Sequence, residues 1–302
     1  MWFDTLITFF QKKKKVDFSP KRNFFPSYLI QENAQQFFEK YGYVVFSNIL
    51  DDKIIKIAQD EFEKIQQLEG YVVNNKFESS GNFSSISTQE YIFKFVKNYL
   101  TQIAPLFANL SNCEIGDGGA FFIKPNTAES ILHPHQDSTV IDETQFYGTF
   151  IWIPLQDAQI ENGPLYVLPK SHRWGNSYRS QHIKWAFRNH SKFLWSQMKP
   201  ILAKKGDIIC FDTSIIHASG TNTSNTDRVV VCGALLPKNH QKIEYLSVNN
   251  CIFEYKIDSS YWLDGGKKES LKQYDFDIKN HNFPNPVSKK YILNLINKTD
   301  DK

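Results

Sequence analysis

The chain has 302 residues, of which 41% are hydrophobic, 15% aromatic and 22% charged. This composition is enough to bury a sizeable core, and it excludes a disordered chain. The formal net charge of +3 is small and, apart from four lysines at 12–15, the charges are scattered, so the sequence does not indicate nucleic-acid binding. No apolar run approaches the roughly 18 residues that cross a bilayer, so no stable membrane insertion is expected.

Four widely spaced cysteines, Cys113, Cys210, Cys232 and Cys251, form no C-x-x-C pair. Their spacing excludes a zinc ribbon or a thioredoxin-type site. Cys210 and Cys232 lie in apolar runs and are predicted to be buried thiols. The apolar N-terminus contains Asp4 and lacks a basic region, so it is a poor signal peptide. These features favour a reducing compartment, and we expect a cytoplasmic protein.

The first part of the chain is predicted to be mainly helical. Residues 1–30 form an extension, either a short docking helix with a solvated loop or a segment that touches a membrane surface. Behind it, helical support is expected over 31–113. Apolar residues at helical spacing and local turn signals predict four elements in chain order: a helix over 31–41, a strand over 43–46, a helix over 50–68 and, after a polar loop at 71–87, a helix over 88–110.

After residue 114, short apolar or alternating runs separated by turn signals predict an all-β barrel or sandwich. The predicted strands are 119–124, 131–137, 147–155, 163–169, 207–211, 215–219 and 228–237. A polar insertion that carries aromatic residues interrupts this core at 176–200. Residues 238–302 are predicted to form a C-terminal extension with a strand pair around 244–257 and a helix near 288–297. The expected architecture is one α+β domain over 31–302 with a mainly β core at 114–237.

The motif His135-Gln136-Asp137 carries the most chemical information in the sequence. Side chains two apart in a strand point to the same face, so His135 and Asp137 are predicted to lie side by side. His217, 80 residues after Asp137, offers a second imidazole. Two histidines and one carboxylate form the facial triad that holds Fe(II) in non-haem oxygenases and leaves coordination positions open. A structural or hydrolytic zinc site would use the same three ligands.

Arg228 begins a strongly apolar run eleven residues after His217. An arginine that enters a β-core needs an anionic partner, because an unpaired buried charge is costly. A bound dicarboxylate would supply that partner, with the guanidinium holding one carboxylate through two parallel hydrogen bonds. A structural salt bridge is the alternative. A zinc site alone would not account for this arginine.

Several spaced motifs occur in order between about residues 115 and 237. They are His135-Gln136-Asp137, Trp152-Ile153-Pro154-Leu155-Gln156-Asp157, Glu161-Asn162-Gly163-Pro164-Leu165, Leu168-Pro169-Lys170-Ser171-His172-Arg173, Gly206-Asp207, His217-Ala218-Ser219, Asn222-Thr223-Ser224 and Arg228. This series resembles the phytanoyl-CoA dioxygenase family of Fe(II)/2-oxoglutarate-dependent oxygenases. The resemblance implies a double-stranded β-helix, the jelly-roll or cupin-like barrel, with N-terminal helices packed on it. Two positions depart from the pattern: Val230, where a serine is frequent, and Lys170, where a glycine often precedes Ser-His.

The resemblance also implies roles for individual residues. Arg228 would pair with the distal carboxylate of 2-oxoglutarate, and Ser219 would hydrogen-bond the same group. Lys124 and Thr149 are further candidates for the 2-oxoglutarate site, on position alone. O2 would be the second co-substrate. Fe(II) would be bound by the catalytic triad His135, Asp137 and His217.

The substrate is harder to predict than the cofactors. The insertion at 176–200 and the loop at 71–87 are candidate lids over the iron site. Within the insertion, Arg179, Trp185 and Arg188 are candidate substrate-binding residues, although its cations also fit a solvated surface. His133 is a further candidate at the pocket mouth. The partner expected is therefore a small molecule, and the sequence leaves the oligomeric state open.

The function implied by the resemblance is a dioxygenase that oxidises an unactivated C–H bond of a small metabolite and releases succinate and CO2. The outcome would be hydroxylation, or desaturation or oxidative ring closure in secondary metabolism. Asp137 occupies a position where related halogenases have a small residue, which favours oxidation over halogenation. Two alternatives remain at this point: a phytanoyl-CoA-type acyl-CoA hydroxylase and a non-catalytic β-barrel binding protein.

Overall fold

The computed structural model describes residues 26–68, 71, 75–80, 85–174, 178–249, 251–263, 265–279 and 286–300. The four lysines at 12–15, and with them most of the predicted N-terminal extension, lie outside the described residues. Tyr28 and Leu29 are buried and belong to the core on the helical side of the domain. The described core therefore includes residues that precede the predicted boundary at residue 31.

The helical support consists of α1 (Glu32–Tyr41), α2 (Asp52–Ile65) and α3 (Ile86–Ile103), with strand β1 (Tyr43–Phe46) between the first two helices. Helix α2 begins after Asp51, whose side chain accepts a hydrogen bond from the Ile54 backbone N–H at 2.8 Å. Helix α3 begins after Ser85, which caps it in the same way through Thr88. It ends earlier than predicted, at Ile103, where Pro105 lies within a following turn of tighter helix.

Two antiparallel sheets form the β-core. In the described residues the larger sheet has seven strands, in the order β1, β9 (Ile208–Asp212), β6 (Thr149–Pro154), β11 (Arg228–Pro237), β4 (Ala120–Lys124) and β2 (Glu78–Ser79), with β3 (Cys113–Ile115) also paired to β11. The smaller sheet has the order β5 (Leu132–His135), β10 (His217–Ser219), β7 (Leu165–Val167) and β8 (Lys199–Ile201).

The two faces of the larger sheet have different neighbours. Ile151, Ile153 and Val231 belong to the core shared with the helices, whereas Trp152 and Val230, on the opposite face, pack with side chains of the smaller sheet. This alternation is the period-two pattern of strands buried on both faces. Helices thus cover one side of the larger sheet and the smaller sheet covers the other. The prediction of a double-stranded β-helix with N-terminal helices packed on it is confirmed.

The rest of the chain surrounds this barrel. Helix α4 (Ser191–Trp195) lies in the insertion, and a third sheet is formed by β12 (Lys242–Val248), β13 (Cys251–Ile257) and β14 (Phe276–Lys279). Helices α5 (Ser260–Leu263) and α6 (Lys289–Asp300) complete the C-terminal part. None of the described helices combines the length and the apolar composition that a membrane crossing would require.

Several sequence expectations need correction. The predicted insertion is not wholly outside the sheets, because its last residues form β8, which pairs with β7. The sequence did not indicate this short strand because Pro200 lies at its centre. Strand β5 ends at His135, two residues before the predicted end.

Two further observations concern single positions of the sequence. Lys170 adopts a left-handed backbone conformation (φ 66°), which is consistent with the glycine that often stands here in the sequence pattern described above. All four cysteines are free thiols.

Candidate metal and co-substrate site

His135 and His217 face each other across neighbouring strands of the smaller sheet. They are register partners in the β5–β10 pair, and their ring centroids are 4.2 Å apart. The Nδ1 atom of His135 lies 2.8 Å from the carbonyl of His133, and that of His217 lies 3.1 Å from the carbonyl of Ile215. A carbonyl can only accept, so each Nδ1 carries the proton and each Nε2 keeps its lone pair for a ligand bond.

Asp137 joins the two histidines although it lies beyond the end of β5. Its backbone N–H donates to the carbonyl of Thr213 at 3.1 Å, which holds it beside the turn that precedes His217. Its Oδ1 lies 3.6 Å from Nε2 of His217, and its Oδ2 is buried without a hydrogen-bond partner among the described residues. The structure thus brings the predicted carboxylate and imidazoles together, but loop contacts and not strand alternation place the carboxylate.

These three side chains fit a divalent metal ion. Their ligand atoms all lie within 4.8 Å of one another. Burial and the nearby His217 lower the pKa of His135 to about 3, so this imidazole is neutral and able to bind a metal. The unpaired Oδ2 of Asp137 is the kind of buried acceptor that a cation would satisfy. Two imidazoles and one carboxylate are the donor set of the non-haem iron facial triad.

Arg228 lies at the start of β11 and its side chain is buried inside the barrel, with only 1% of its surface exposed. One terminal nitrogen, Nη2, donates to Oγ of Ser219 at 3.3 Å, while Nε and Nη1 have no hydrogen-bond partner among the described residues. The guanidinium stacks 5.2 Å from the ring of Trp152. No ion pair of Arg228 occurs in the described part of the chain. A buried guanidinium with two free donors and no counter-charge fits an anionic ligand.

Lys124 is a second buried cation at the same place. It is the register partner of Arg228 in the β4–β11 pair and is fully buried. Its Nζ donates to the carbonyl of Ser130 and lies 5.3 Å from the centroid of the Phe77 ring. Burial, together with the charge of Arg228, lowers the pKa of Lys124 to about 6. The structure thus places Lys124 beside Arg228, and its role in binding 2-oxoglutarate stays a prediction.

Thr149 does not lie with these residues. It shares the face of β6 that carries Ile151 and Ile153, whose side chains pack in the helix-side core. Trp152, which contacts Arg228, lies on the opposite face. The alternation along β6 therefore places Thr149 on the face opposite Trp152, which argues against a direct contact between Thr149 and the co-substrate.

Arg179 is not an open substrate-binding cation. Its guanidinium donates to both carboxylate oxygens of Glu143, at 2.9 and 2.5 Å, and both side chains are 3% exposed. Its Nε donates to the backbone carbonyl of Asp137 at 2.8 Å. All three donor positions are thus used within the protein. The sequence could not show this pairing, because Glu143 lies 36 residues away in the loop after β5.

The other three substrate candidates lie at or near the protein surface. Trp185 is half-buried, and its indole N–H donates to Oε1 of Gln136 at 3.1 Å. Gln136, for which the sequence predicts no role, also donates to the carbonyl of Ser214. Gln136 therefore connects the insertion to the turn that precedes His217. Arg188 is exposed and donates to the carbonyl of Trp185 at 2.7 Å, and His133 is exposed beside the triad.

The fold and the site together define a double-stranded β-helix with a two-histidine, one-carboxylate metal centre and a buried arginine. A family model described as phytanoyl-CoA dioxygenase (PhyH) matches residues 38–230. The chain belongs to this family. It is 30% identical over 207 residues to a Dictyostelium discoideum phytanoyl-CoA dioxygenase domain-containing protein 1 homolog, covering 65% of each chain. It is 32% identical over 110 residues to phytanoyl-CoA dioxygenase 1 of rice (Oryza sativa subsp. japonica), covering 35% of this chain and 39% of that relative.

Among solved structures, the fold is similar to that of EctD from S. alaskensis with 2-oxoglutarate and 5-hydroxyectoine. The TM-score is 0.52 with 15% sequence identity, covering 78% of this chain and 86% of that one. The epimerase SnoN in complex with Fe3+, α-ketoglutarate and nogalamycin RO has a TM-score of 0.50 and 15% identity, covering 70% of this chain and 85% of that one. These similarities support the fold described above.

Proposed function

We propose that the protein is an Fe(II)- and 2-oxoglutarate-dependent dioxygenase that oxidises a C–H bond of a small molecule. The observation that carries the proposal is the pairing of two features in one barrel. One is a metal-binding triad with an unpaired buried carboxylate oxygen, and the other is a buried guanidinium with two unpaired donors. Neither feature is satisfied within the described protein, and together they match a metal and a dicarboxylate.

The contribution of the chain is to hold and orient the reactants. His135, Asp137 and His217 would bind Fe(II) and leave its remaining positions for the keto acid and O2. Arg228 and Ser219 would bind the distal carboxylate of 2-oxoglutarate through charge-assisted hydrogen bonds. When bound, the iron supplies O2 activation, which yields succinate, CO2 and oxidised substrate. The protein then decides which C–H bond reacts, because a displacement of about an ångström changes the productive geometry.

An anaerobic titration of the whole protein with Fe(II) and 2-oxoglutarate tests the proposal. The chelate of keto acid and Fe(II) gives a weak visible charge-transfer band, which should appear with both components and with neither alone. Admission of O2 should then release succinate. A non-catalytic binding protein would bind 2-oxoglutarate without forming succinate, and a zinc site would give no visible band. Either result would contradict the proposal.

The substrate is proposed as a small metabolite, with an acyl-CoA as the second candidate. The family name and the rice relative, which is called a phytanoyl-CoA dioxygenase, favour the second candidate. The half-buried Trp185 beside Gln136, on an insertion that reaches the metal-site loop, supports a compact pocket for a small molecule. Succinate release stimulated by acyl-CoA thioesters but not by a panel of small carboxylates would favour the acyl-CoA.

Trp185→Ala is expected to raise the substrate KM and the ratio of succinate to oxidised product, because an aromatic contact that orients substrate is lost. Trp195→Phe, in the same insertion but packed on Tyr166, is the matched control and should change neither value. Arg188→Ala is expected to act in the same direction as Trp185→Ala. Steady-state assays that quantify succinate and product together check this. Wild-type coupling in both variants would place the substrate pocket elsewhere.

Lys124 predicts a pH dependence of co-substrate binding. Its pKa of about 6 leaves it mostly neutral at pH 8, whereas Arg228, whose burial lowers its pKa only to about 10, stays charged. If the bound carboxylate needs both charges, binding above pH 6 must take up a proton. We therefore expect the 2-oxoglutarate Kd to rise between pH 6 and pH 8, by at most about tenfold per pH unit. Lys124→Met should abolish this pH dependence. If the variant kept the pH profile of the wild-type protein, a role for Lys124 in binding 2-oxoglutarate would be contradicted.

A further inference from the structure

Arg179 and Glu143 form a buried ion pair next to the metal-site carboxylate. The fork of the guanidinium donates to both oxygens of Glu143, at 2.9 and 2.5 Å. The remaining donor, Nε, points to the backbone carbonyl of Asp137 at 2.8 Å. Glu143 therefore fixes the plane of the guanidinium, and the guanidinium in turn fixes the peptide that follows Asp137.

The backbone around Asp137 depends on such contacts because no strand pairing holds it. Strand β5 ends at His135. Beyond that point, Asp137 donates to the carbonyl of Thr213 at 3.1 Å and accepts from Nε of Arg179. Two residues later, the N–H of Thr139 donates to the carbonyl of Arg179 at 2.9 Å. Arg179 thus contacts the segment 137–139 through both its side chain and its backbone.

The segment that carries Arg179 is itself anchored to β12. The ring of Tyr178 packs edge-on against Tyr245 with centroids 4.8 Å apart. Burial raises the pKa of Glu244 on β12 to about 7, and the side chain of Ser180 lies close enough to oppose this rise. The N–H of Ile243 donates to the carbonyl of Val140 at 3.0 Å, which ties the same strand to the loop after Asp137. Strand β12 lies beyond residues 38–230, so a part of the chain outside the family match supports this arrangement.

We infer that Arg179 is a positioning residue for the metal-binding carboxylate. Held by Glu143 and by the anchored segment, it fixes the backbone from which the Asp137 side chain reaches the metal. The inference rests on the proposed metal site. A ligand side chain must be held within roughly 0.5 Å of its productive position, and loss of such an outer contact typically weakens metal binding by about 10- to 100-fold.

Metal binding by Arg179→Lys and Glu143→Gln tests this inference. The lysine keeps the charge but has neither the fork nor the Nε donor, and the glutamine keeps the shape of its partner but removes the charge. We expect both variants to bind Co(II), followed by its visible absorption without 2-oxoglutarate, about 10- to 100-fold more weakly than wild type. At saturating metal, their 2-oxoglutarate affinity should stay within about twofold of wild type, because Arg228 is untouched.

Two further variants serve as controls for the Co(II) affinities. Glu143→Met/Arg179→Met removes both charges and keeps the core filled, so it is expected to fold and still to lose metal affinity. Asp117→Asn disrupts a partly buried ion pair with Lys97 and Lys242 elsewhere in the domain, and it should lower the Tm without affecting Co(II) binding. An equal loss of Co(II) affinity in this control would overturn the inference.

Other outcomes separate this inference from the proposed function. Unchanged Co(II) affinity with a raised substrate KM would show that Arg179 binds substrate, which would overturn the inference and leave the proposed function intact. A wild-type protein that binds no metal would overturn the proposed function, and the inference with it. The double variant Arg179→Lys/Glu143→Asp still lacks the Nε contact to the Asp137 carbonyl. If this double variant bound Co(II) as tightly as the wild type, the inference would also be overturned.

Discussion

His217→Ala is expected to abolish turnover and to weaken Fe(II) or Co(II) binding by more than about 100-fold, beyond the effect of losing an outer contact. The variant removes an imidazole whose Nδ1 is fixed by the Ile215 carbonyl and whose Nε2 lone pair is the proposed metal ligand. His135→Ala and Asp137→Ala are expected to give the same loss. Metal titration and succinate release measure the two effects separately.

The control for the triad is a histidine elsewhere in the chain. His240 is buried and lies near Glu114, and its substitution by alanine should leave metal binding unchanged. Circular dichroism should show that all four variants retain the β-core, because its apolar clusters do not include the triad residues. Full activity in any one triad variant would remove that residue from the site.

Arg228→Lys is expected to raise the Kd for 2-oxoglutarate by roughly 10- to 150-fold, the equivalent of about 1.5–3 kcal/mol for a charge-assisted contact. The lysine keeps the charge but cannot present two parallel donors to one carboxylate. The buried position strengthens this expectation, because Nε and Nη1 have no other hydrogen-bond partner among the described residues. The charge-transfer band at increasing 2-oxoglutarate concentrations gives the Kd directly.

Arg173→Lys is the matched control for this change, because Arg173 is exposed on a turn outside the site. It should leave the Kd unchanged. Metal affinity in the absence of 2-oxoglutarate should also be the same in Arg228→Lys as in wild type. If the 2-oxoglutarate Kd does not change, Arg228 is structural and the co-substrate binds elsewhere.

The sequence allowed the barrel and the three residues that meet in the candidate metal site to be predicted, because those features depend on local patterns. The strand Arg228–Pro237 was predicted with its observed bounds, since a continuous apolar run follows one arginine. Strand β8 was missed because three residues around a proline give no periodic signal. His135 and Asp137 do lie side by side, but the predicted cause was wrong, because contacts with Thr213 and Arg179 place the carboxylate.

The correction at Arg179 has a clear physical origin, because a single sequence does not show side-chain partners. In the sequence alone, Arg179 is a reasonable candidate for a substrate-binding cation. In the structure, both oxygens of the Glu143 carboxylate accept hydrogen bonds from its guanidinium. Thr149 is a different case, because the alternation along the predicted strand already places it on the face opposite Trp152.

The position of His135 on an edge strand has a consequence for the stability of that edge and for aggregation. Strand β5 pairs only with β10 among the described strands, and the register between them shifts after a single residue pair at the histidines. A metal bound by both histidines would crosslink this edge, adding about 2.7 kcal/mol when free metal exceeds its Kd 100-fold. Without that crosslink, β5 would separate from β10 more readily and expose backbone hydrogen-bonding groups, and exposed strand edges promote aggregation. Bound iron would thus protect the chain from aggregation as well as support turnover.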